Sequence, residues 1–180
     1  MSLVAIQGTK GSYSEEAAFR LVGKEASLLE CLDFEETFAA ITSKRAEYAV
    51  VPVRNRIVGE IESATKLLNR SNLRIHEQLP LEVRHVLVGT QDSEFSSLES
   101  VRSHIEALKQ CGKFLSVHAR LTQVIGSDTA SSVRRIVEEG RAGNGAIGSR
   151  RAAEIYGAKI LHEDIADDIE NWTTFYLIGI

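Results

Sequence analysis

Tyr48-Ala49-Val50-Val51-Pro52-Val53-Arg54-Asn55-Arg56-Ile57-Val58-Gly59 opens on six uncharged residues and closes on a cluster of side-chain donors. A strand with one wet face alternates apolar and polar side chains, so a run without alternation predicts a strand covered on both faces, as in α/β sheets. Its polar end then falls where such sheets hold ligands, beyond the carboxyl ends of the strands. Outward from this stretch, apolar runs at 3–6, 27–32, 100–103, 121–125, 145–148, 159–161 and 174–179 read as strands. Segments of helical period at 14–22, 34–43, 57–68, 104–115, 129–139 and 150–156 fall between them. Residues 73–77 and 82–88 alternate like two paired strands. This is the rhythm of βα units around a mainly parallel sheet. It is interrupted near residue 81 and again at the acidic stretch 164–171, which predicts two α/β lobes, 1–80 with 165–180 and 81–164, facing each other across a ligand cleft.

Composition removes other classes. With 180 residues, 43% of them hydrophobic and 26% charged, the chain has ordinary globular make-up. A chain of this size buries roughly 70% of its unfolded surface, so it needs neither disulfides nor metal to fold. Twenty-one Lys and Arg against 25 Asp and Glu leave a net charge of −4, so no nucleic-acid or anionic-membrane partner is expected. Cys31 and Cys111 stand 80 positions apart with no Cys/His cluster around them, so a pair of reduced thiols and no metal site are expected. The first residues hold no basic segment followed by a long apolar one, and no apolar run reaches the roughly 18 residues of a membrane span, which makes the cytoplasm the expected compartment.

Five segments could carry chemistry. Gly8-Thr9-Lys10-Gly11-Ser12-Tyr13-Ser14-Glu15 joins a strand to a helix, where backbone N–H groups and hydroxyls can face an anion. It is not a P-loop, because no Gly-Lys-[Ser/Thr] follows. Arg54-Asn55-Arg56 offers guanidinium forks that suit a carboxylate. Ser103-His104 ends a strand and opens a helix, so the hydroxyl could cap the helix while the imidazole faces a ligand. Ser127-Asp128-Thr129-Ala130 is a similar turn, and Asn171-Trp172-Thr173-Thr174-Phe175 leads into the last strand. Capping and turn formation account for much of this chemistry. His76, His85, His118 and His162 read as surface or satisfied residues, and Trp172 as a packing anchor or a substrate wall.

Taken in order, these segments resemble the catalytic domain of prephenate dehydratase. The family's Gly-Pro-x-Gly-Thr-[Phe/Tyr]-Ser-Glu is similar to residues Gly8 to Glu15. Its Ala-Asp-Tyr-x-Val-Val-Pro-Val-Glu-Asn-Ser-x-x-Gly is similar to Ala46 to Gly59, and its Ser-His-Pro-Gln-Ala-Leu-x-Gln-Cys to Ser103 to Cys111. Its Thr-Ala before a helix is similar to Thr129-Ala130, and its Asn-x-Thr-Arg-Phe to Asn171 to Phe175. The resemblance implies two lobes similar to type II periplasmic binding proteins, at least a dimer, and conversion of prephenate to phenylpyruvate with loss of CO2 and water, without a cofactor. It implies catalytic roles for Thr173, Asn55 and Ser14. Contacts to a dianionic substrate are implied for Ser12, Glu15, Arg54, Arg56, Ser103, His104, Thr129, Ala130, Asn171, Thr174 and Phe175.

The departures from the family pattern are Arg54 and Arg56 for Glu and Ser, Ser12 for Thr, Ile105-Glu106 for Pro-Gln, and Thr174 for Arg. They suggest that the cation beside the catalytic threonine has moved to Arg54 or Arg56. A non-aromatising prephenate decarboxylase and a catalytically silent small-acid binding module remain alternative readings of the same letters. The ACT-type regulatory domain usual in the family is not expected in these 180 residues.

Overall fold

The computed structural model describes residues 3–180. In chain order its elements are β1 (Leu3–Gln7), α1 (Tyr13–Val22), β2 (Ser27–Cys31), α2 (Phe34–Thr42), β3 (Tyr48–Asn55), β4 (Gly59–Glu60), α3 (Glu62–Arg70) and β5 (Arg74–Glu82). There follow β6 (Val86–Gly89), a 3-10 turn at Phe95–Ser97, β7 (Ser100–Ser103), α4 (Ile105–Gln110), α5 (Gly112–Val117), β8 (Thr122–Ile125) and α6 (Thr129–Glu139). The chain closes with β9 (Asn144–Gly148), α7 (Arg150–Tyr156), β10 (Lys159–His162) and β11 (Trp172–Gly179).

The elements fall into two compact units: residues 3–9, 13–83 and 170–180 in one, residues 10–12 and 84–169 in the other. The first is built on a sheet of order β2-β1-β3-β11-β5, with β4 paired to β3. β1, β2 and β3 are parallel, and β11 runs antiparallel to β3 and β5. β3 is covered on both faces, as its unbroken apolar run requires. Ala49, Val51 and Val53 pack with Phe38 and Ile41 of α2, while Val50 packs with Ala17 and Ala18 of α1. The second unit's sheet has order β10-β6-β9-β7-β8, parallel in β7, β8 and β9 and antiparallel at β6 and β10. Ile147 and Val101 head the core on one face, Ala146 and Val133 on the other.

Four expectations are corrected. Residues 73–77 and 82–88 are not partners: 74–82 is one long strand laid on β11, and β6 belongs to the second unit's sheet, between β9 and β10. Alternation gives a strand's faces but not its neighbour. The helix expected at 57–68 starts at Glu62, because Ile57 and Val58 donate their N–H groups to Asn55 Oδ1 and Gly59, at φ 85°, turns the chain into β4. The helix expected at 104–115 is broken at Cys111. There Asp167 Oδ1 accepts from Lys113 N at 2.9 Å and so caps the second piece. Finally, β3 and β11 extend further than their apolar runs, to Asn55 and from Trp172, which brings polar residues into the ladder.

Candidate functional site

The register of β3 on β11 places Asn55 opposite Thr173 and Arg54 opposite Thr174. Asn55 and Thr173 are 5% and 6% exposed, and Asn171 is fully buried. Buried amides must be satisfied or they cost roughly 1–3 kcal/mol each. Here satisfaction fixes direction. Asn55 Oδ1 accepts from Ile57 N at 2.9 Å and Val58 N at 3.1 Å, so its nitrogen must point the other way. Asn55 Nδ2 donates to Asn171 Oδ1 at 2.7 Å, Thr173 Oγ1 at 2.9 Å and the Trp172 carbonyl at 3.2 Å. Thr173 Oγ1 is therefore an acceptor from the amide, and its own proton is left for another oxygen.

The two arginines of the segment separate. Arg56 forms an ion pair with Glu170 at 2.6 Å through its guanidinium, and its backbone N–H donates to the Trp172 carbonyl at 2.8 Å. The Arg54 side chain is exposed and forms no ion pair or hydrogen bond among the described residues. Sequence reading treated the pair as equivalent; Glu170, one residue before the Asn171 motif, was the available signal that Arg56 has an acidic neighbour. Phe175 is buried in the core with Val50 and Leu177, so it supports the site from beneath. On α1, Ser14 is 7% exposed and makes no side-chain hydrogen bond among the described residues. Glu15 is 3% exposed and has an interaction of its own.

In the second unit, His104 takes the capping part expected of Ser103. The Ser103 hydroxyl, fully buried, donates to the Ile147 carbonyl at 2.7 Å, and it is His104 Nδ1 that caps α4 by accepting from Glu106 N at 3.2 Å. The hydroxyl sits at the end of the β7–β9 pairing, where the next carbonyl lies within its reach. Asp128 is the cap of α6, accepting from Ser131 N at 2.7 Å, so Thr129 is the first helical residue. The Ala130 methyl is core, which leaves only its backbone to meet a ligand. Ser12 is buried beside Gly11, whose carbonyl accepts from Ser149 Oγ at 2.8 Å. Gly11 has φ 83°, and a Cβ there would lie 2.8 Å from Ala152 Cα, so glycine is required twice over.

Away from these groups, His85 is 3% exposed with Nε2 2.8 Å from Gln110 Oε1, and burial lowers its pKa. Burial, then the charge of Asp167, pushes the Cys111 thiol up to about 12. Cys31 is likewise raised by burial. Both thiols are free and buried. Among the described residues there is no group of three or more metal-ligating side chains, and no helix is long and apolar enough to cross a membrane.

Comparisons with known proteins agree with this arrangement. Residues 4–180 match the family model for prephenate dehydratase. Arogenate dehydratase/prephenate dehydratase 1, chloroplastic, of Arabidopsis thaliana is 34% identical over 176 residues, 98% of this chain and 44% of that protein. The chain thus spans about half the length of the curated relatives it matches. A prephenate dehydratase from Arthrobacter aurescens, solved in complex with L-Phe, superposes with a TM-score of 0.89 at 25% identity, covering 98% of this chain and 60% of that one. A protein described as a novel type of quorum quenching acylase superposes at 0.83 with 29% identity, covering 98% and 63%. An ABC transporter structure from Parabacteroides distasonis, 12% identical with a TM-score of 0.54 over 99% of this chain and 65% of that one, shares the fold alone. That likeness agrees with the expected relation to periplasmic binding proteins. With a match over nearly all its residues and the family's motifs in order along β1, β3, α4 and β11, the chain belongs to the prephenate dehydratase family.

Proposed function

We propose that the chain catalyses the decarboxylating dehydration of prephenate to phenylpyruvate, a step of phenylalanine biosynthesis, with no cofactor. The observation that carries this is the direction of the Asn55–Thr173 hydrogen bond. In the reaction the bond from C1 to the carboxylate breaks and its electron pair enters the ring. The ring double bonds shift, and the C4–O bond breaks with its pair on oxygen. That oxygen takes up one proton and leaves as water, and the ring becomes aromatic. Aromatisation drives the step strongly downhill, so the protein must mainly orient the substrate and meet the departing oxygen with a donor. A threonine hydroxyl is a weak acid. Held as an acceptor by Asn55, it offers its proton as a hydrogen bond to the leaving oxygen, and solvent supplies the net proton.

The substrate's two carboxylates need donors. Arg54 and Thr174, the Ser14 hydroxyl and the first-turn N–H groups of α1 provide them in the first unit. The motif matches extend substrate contacts to Glu15, Ser12, His104, Thr129 and the Ala130 backbone. Ser103 then acts through β7, since its hydroxyl is committed to Ile147. A cytoplasmic homodimer or higher oligomer is part of the same reading, supported by family resemblance and by two buried cysteines without a disulfide.

The test is incubation of the purified chain with prephenate while phenylpyruvate and CO2 are followed together. Equal amounts of both are expected, and Thr173→Ala should lower kcat by about 10²-fold or more, whereas Thr173→Ser retains most of it. CO2 without phenylpyruvate would instead identify a non-aromatising decarboxylase.

A further inference from the structure

The ladder between β3 and β11 pairs Phe175 with Pro52 and Thr174 with Arg54, so Val53 has no partner and β3 bulges there. Val51 and Val53 pack toward α2. The bulge turns the next odd-numbered residue, Asn55, onto the opposite face, where it stands across from Thr173 in line with Phe175 and Leu177 under α1. Asn171 lies on the same line. Its carbonyl accepts from Val83 N at 2.7 Å, which carries the pairing of β5 with β11 one rung past Glu82 and Trp172. Side chains two residues apart on a strand share a face, so Asn171 and Thr173 flank the Asn55 amide. Its Nδ2 has two protons to give and three oxygens in reach: Asn171 Oδ1 at 2.7 Å, Thr173 Oγ1 at 2.9 Å and the Trp172 carbonyl at 3.2 Å. The Trp172 carbonyl already accepts from Arg56 N at 2.8 Å. The two protons therefore belong to Asn171 and Thr173, and the shorter bond is the one to Asn171.

Resting on the reaction proposed above, we infer that Asn171 is a positioning residue for it: without touching substrate, its Oδ1 holds one N–H of Asn55 so that the other meets Thr173. Asn171 is fully buried and has no surface to offer a ligand, although the motif match implies a substrate contact there. The two N–H bonds of an amide lie in one plane, so the direction of one sets that of the other. With the Asn171 oxygen removed, the nearest oxygen left to the first proton is the Trp172 carbonyl, and turning toward it swings the second N–H off Thr173. The hydroxyl is then free to rotate, and its proton is no longer directed at the leaving oxygen.

The experiment follows prephenate turnover and the Asn55 side-chain amide in the unaltered chain, Asn171→Leu, Asn171→Asp, Thr173→Ala and the double variant Asn171→Leu with Thr173→Ala. Leucine keeps the volume and removes the acceptor, whereas aspartate keeps an acceptor oxygen. Asn171→Leu should lower kcat about tenfold or more with KM held within about twofold, and Asn171→Asp should keep kcat within about threefold. In the Thr173→Ala background, Asn171→Leu should cost less than about twofold, because the hydroxyl it aims is already gone. Hydrogen exchange of the Asn55 side-chain amide, read by NMR, should quicken about tenfold or more in Asn171→Leu and hold within about threefold in Asn171→Asp. Asn171 has a further interaction of its own, so thermal denaturation accompanies each variant, and Asn171→Ala repeats the test if leucine prevents folding. A loss of folded protein lowers kcat equally in both backgrounds and so cannot imitate the expected non-additivity. A raised KM with kcat unaltered would show that Asn171 meets the substrate itself, and an equal loss in both backgrounds would show that it does not act through Thr173. Either result overturns the inference and leaves the dehydratase reading standing. Absence of turnover in the unaltered chain removes the dehydratase reading, and the amide still decides the rest. Exchange indifferent to position 171 overturns the inference, and exchange quickened by leucine but not by aspartate upholds Asn171 as the residue that sets the Asn55 amide.

Discussion

Asn55 is a single amide on which two tasks converge: its oxygen closes the turn after β3 by accepting from Ile57 and Val58, and its nitrogen orients Thr173. Replacing Asn55 by Asp keeps the shape and reverses the donor. The new oxygen would face Asn171 Oδ1 across the present 2.7 Å, and the Thr173 hydroxyl would turn to donate to the carboxylate. We expect Asn55→Asp to lower stability by about 1–3 kcal/mol and kcat by about 10²-fold, read from thermal denaturation and from phenylpyruvate formation. Unaltered kcat would mean that the direction of this hydrogen bond does not matter to the reaction. Asn55 and Thr173 were legible in the sequence as polar letters at strand ends. The division between Arg54 and Arg56 was not, because Glu170 reaches Arg56 only after more than a hundred intervening residues have folded.

At the scale of elements, the strands were easier to find than their partners. β5 alternates whether it is laid on β6 or on β11, and the choice is made by burial: Leu81 is buried against β11's Phe175 and Leu177, while Val86 and Val88 pack with α6 and α7. Helix breaks were also invisible, because the period of 104–115 is intact and only Asp167, brought in from the acidic stretch, caps a second helix inside it. His85 stands between β5 and β6, and burial holds its folded pKa below the ordinary value of 6.5. Below about pH 6.5 the unfolded chain binds a proton that the folded chain refuses. Stability is therefore fully present above that pH and lost as pH falls toward the folded pKa. The urea midpoint should fall between about pH 7 and pH 5, and the slope should flatten in His85→Gln relative to the unaltered chain. Parallel pH profiles for the two would rule out His85 as the cause.

For the whole molecule, each sheet carries its own pair of buried clusters, around Val50 and Val51 in one unit and around Ile147 and Val133 in the other. The one tryptophan, Trp172, reports on the first, and Cys111, buried in the second, is a thiol reached only on opening. Truncating Ile147 to Ala removes core volume from the second unit alone, at a cost of about 2–5 kcal/mol. We expect Cys111 labelling in urea to shift to lower concentration in Ile147→Ala, with the Trp172 fluorescence midpoint left in place. Equal shifts of both would show that the two cores unfold as one.

What the sequence determined by itself was local or periodic: the doubly covered strand at 48–53, the βα rhythm, the capping turns and the ordered motifs. These follow from side-chain alternation and from groups a few residues apart, which act on the chain before it folds. The tertiary structure alone decided which strands pair, where Thr174 falls relative to Arg54, and which arginine keeps its charge unspent. Those outcomes depend on contacts between residues from about forty to more than a hundred positions apart, and no local pattern carries the energy of a contact that only burial creates.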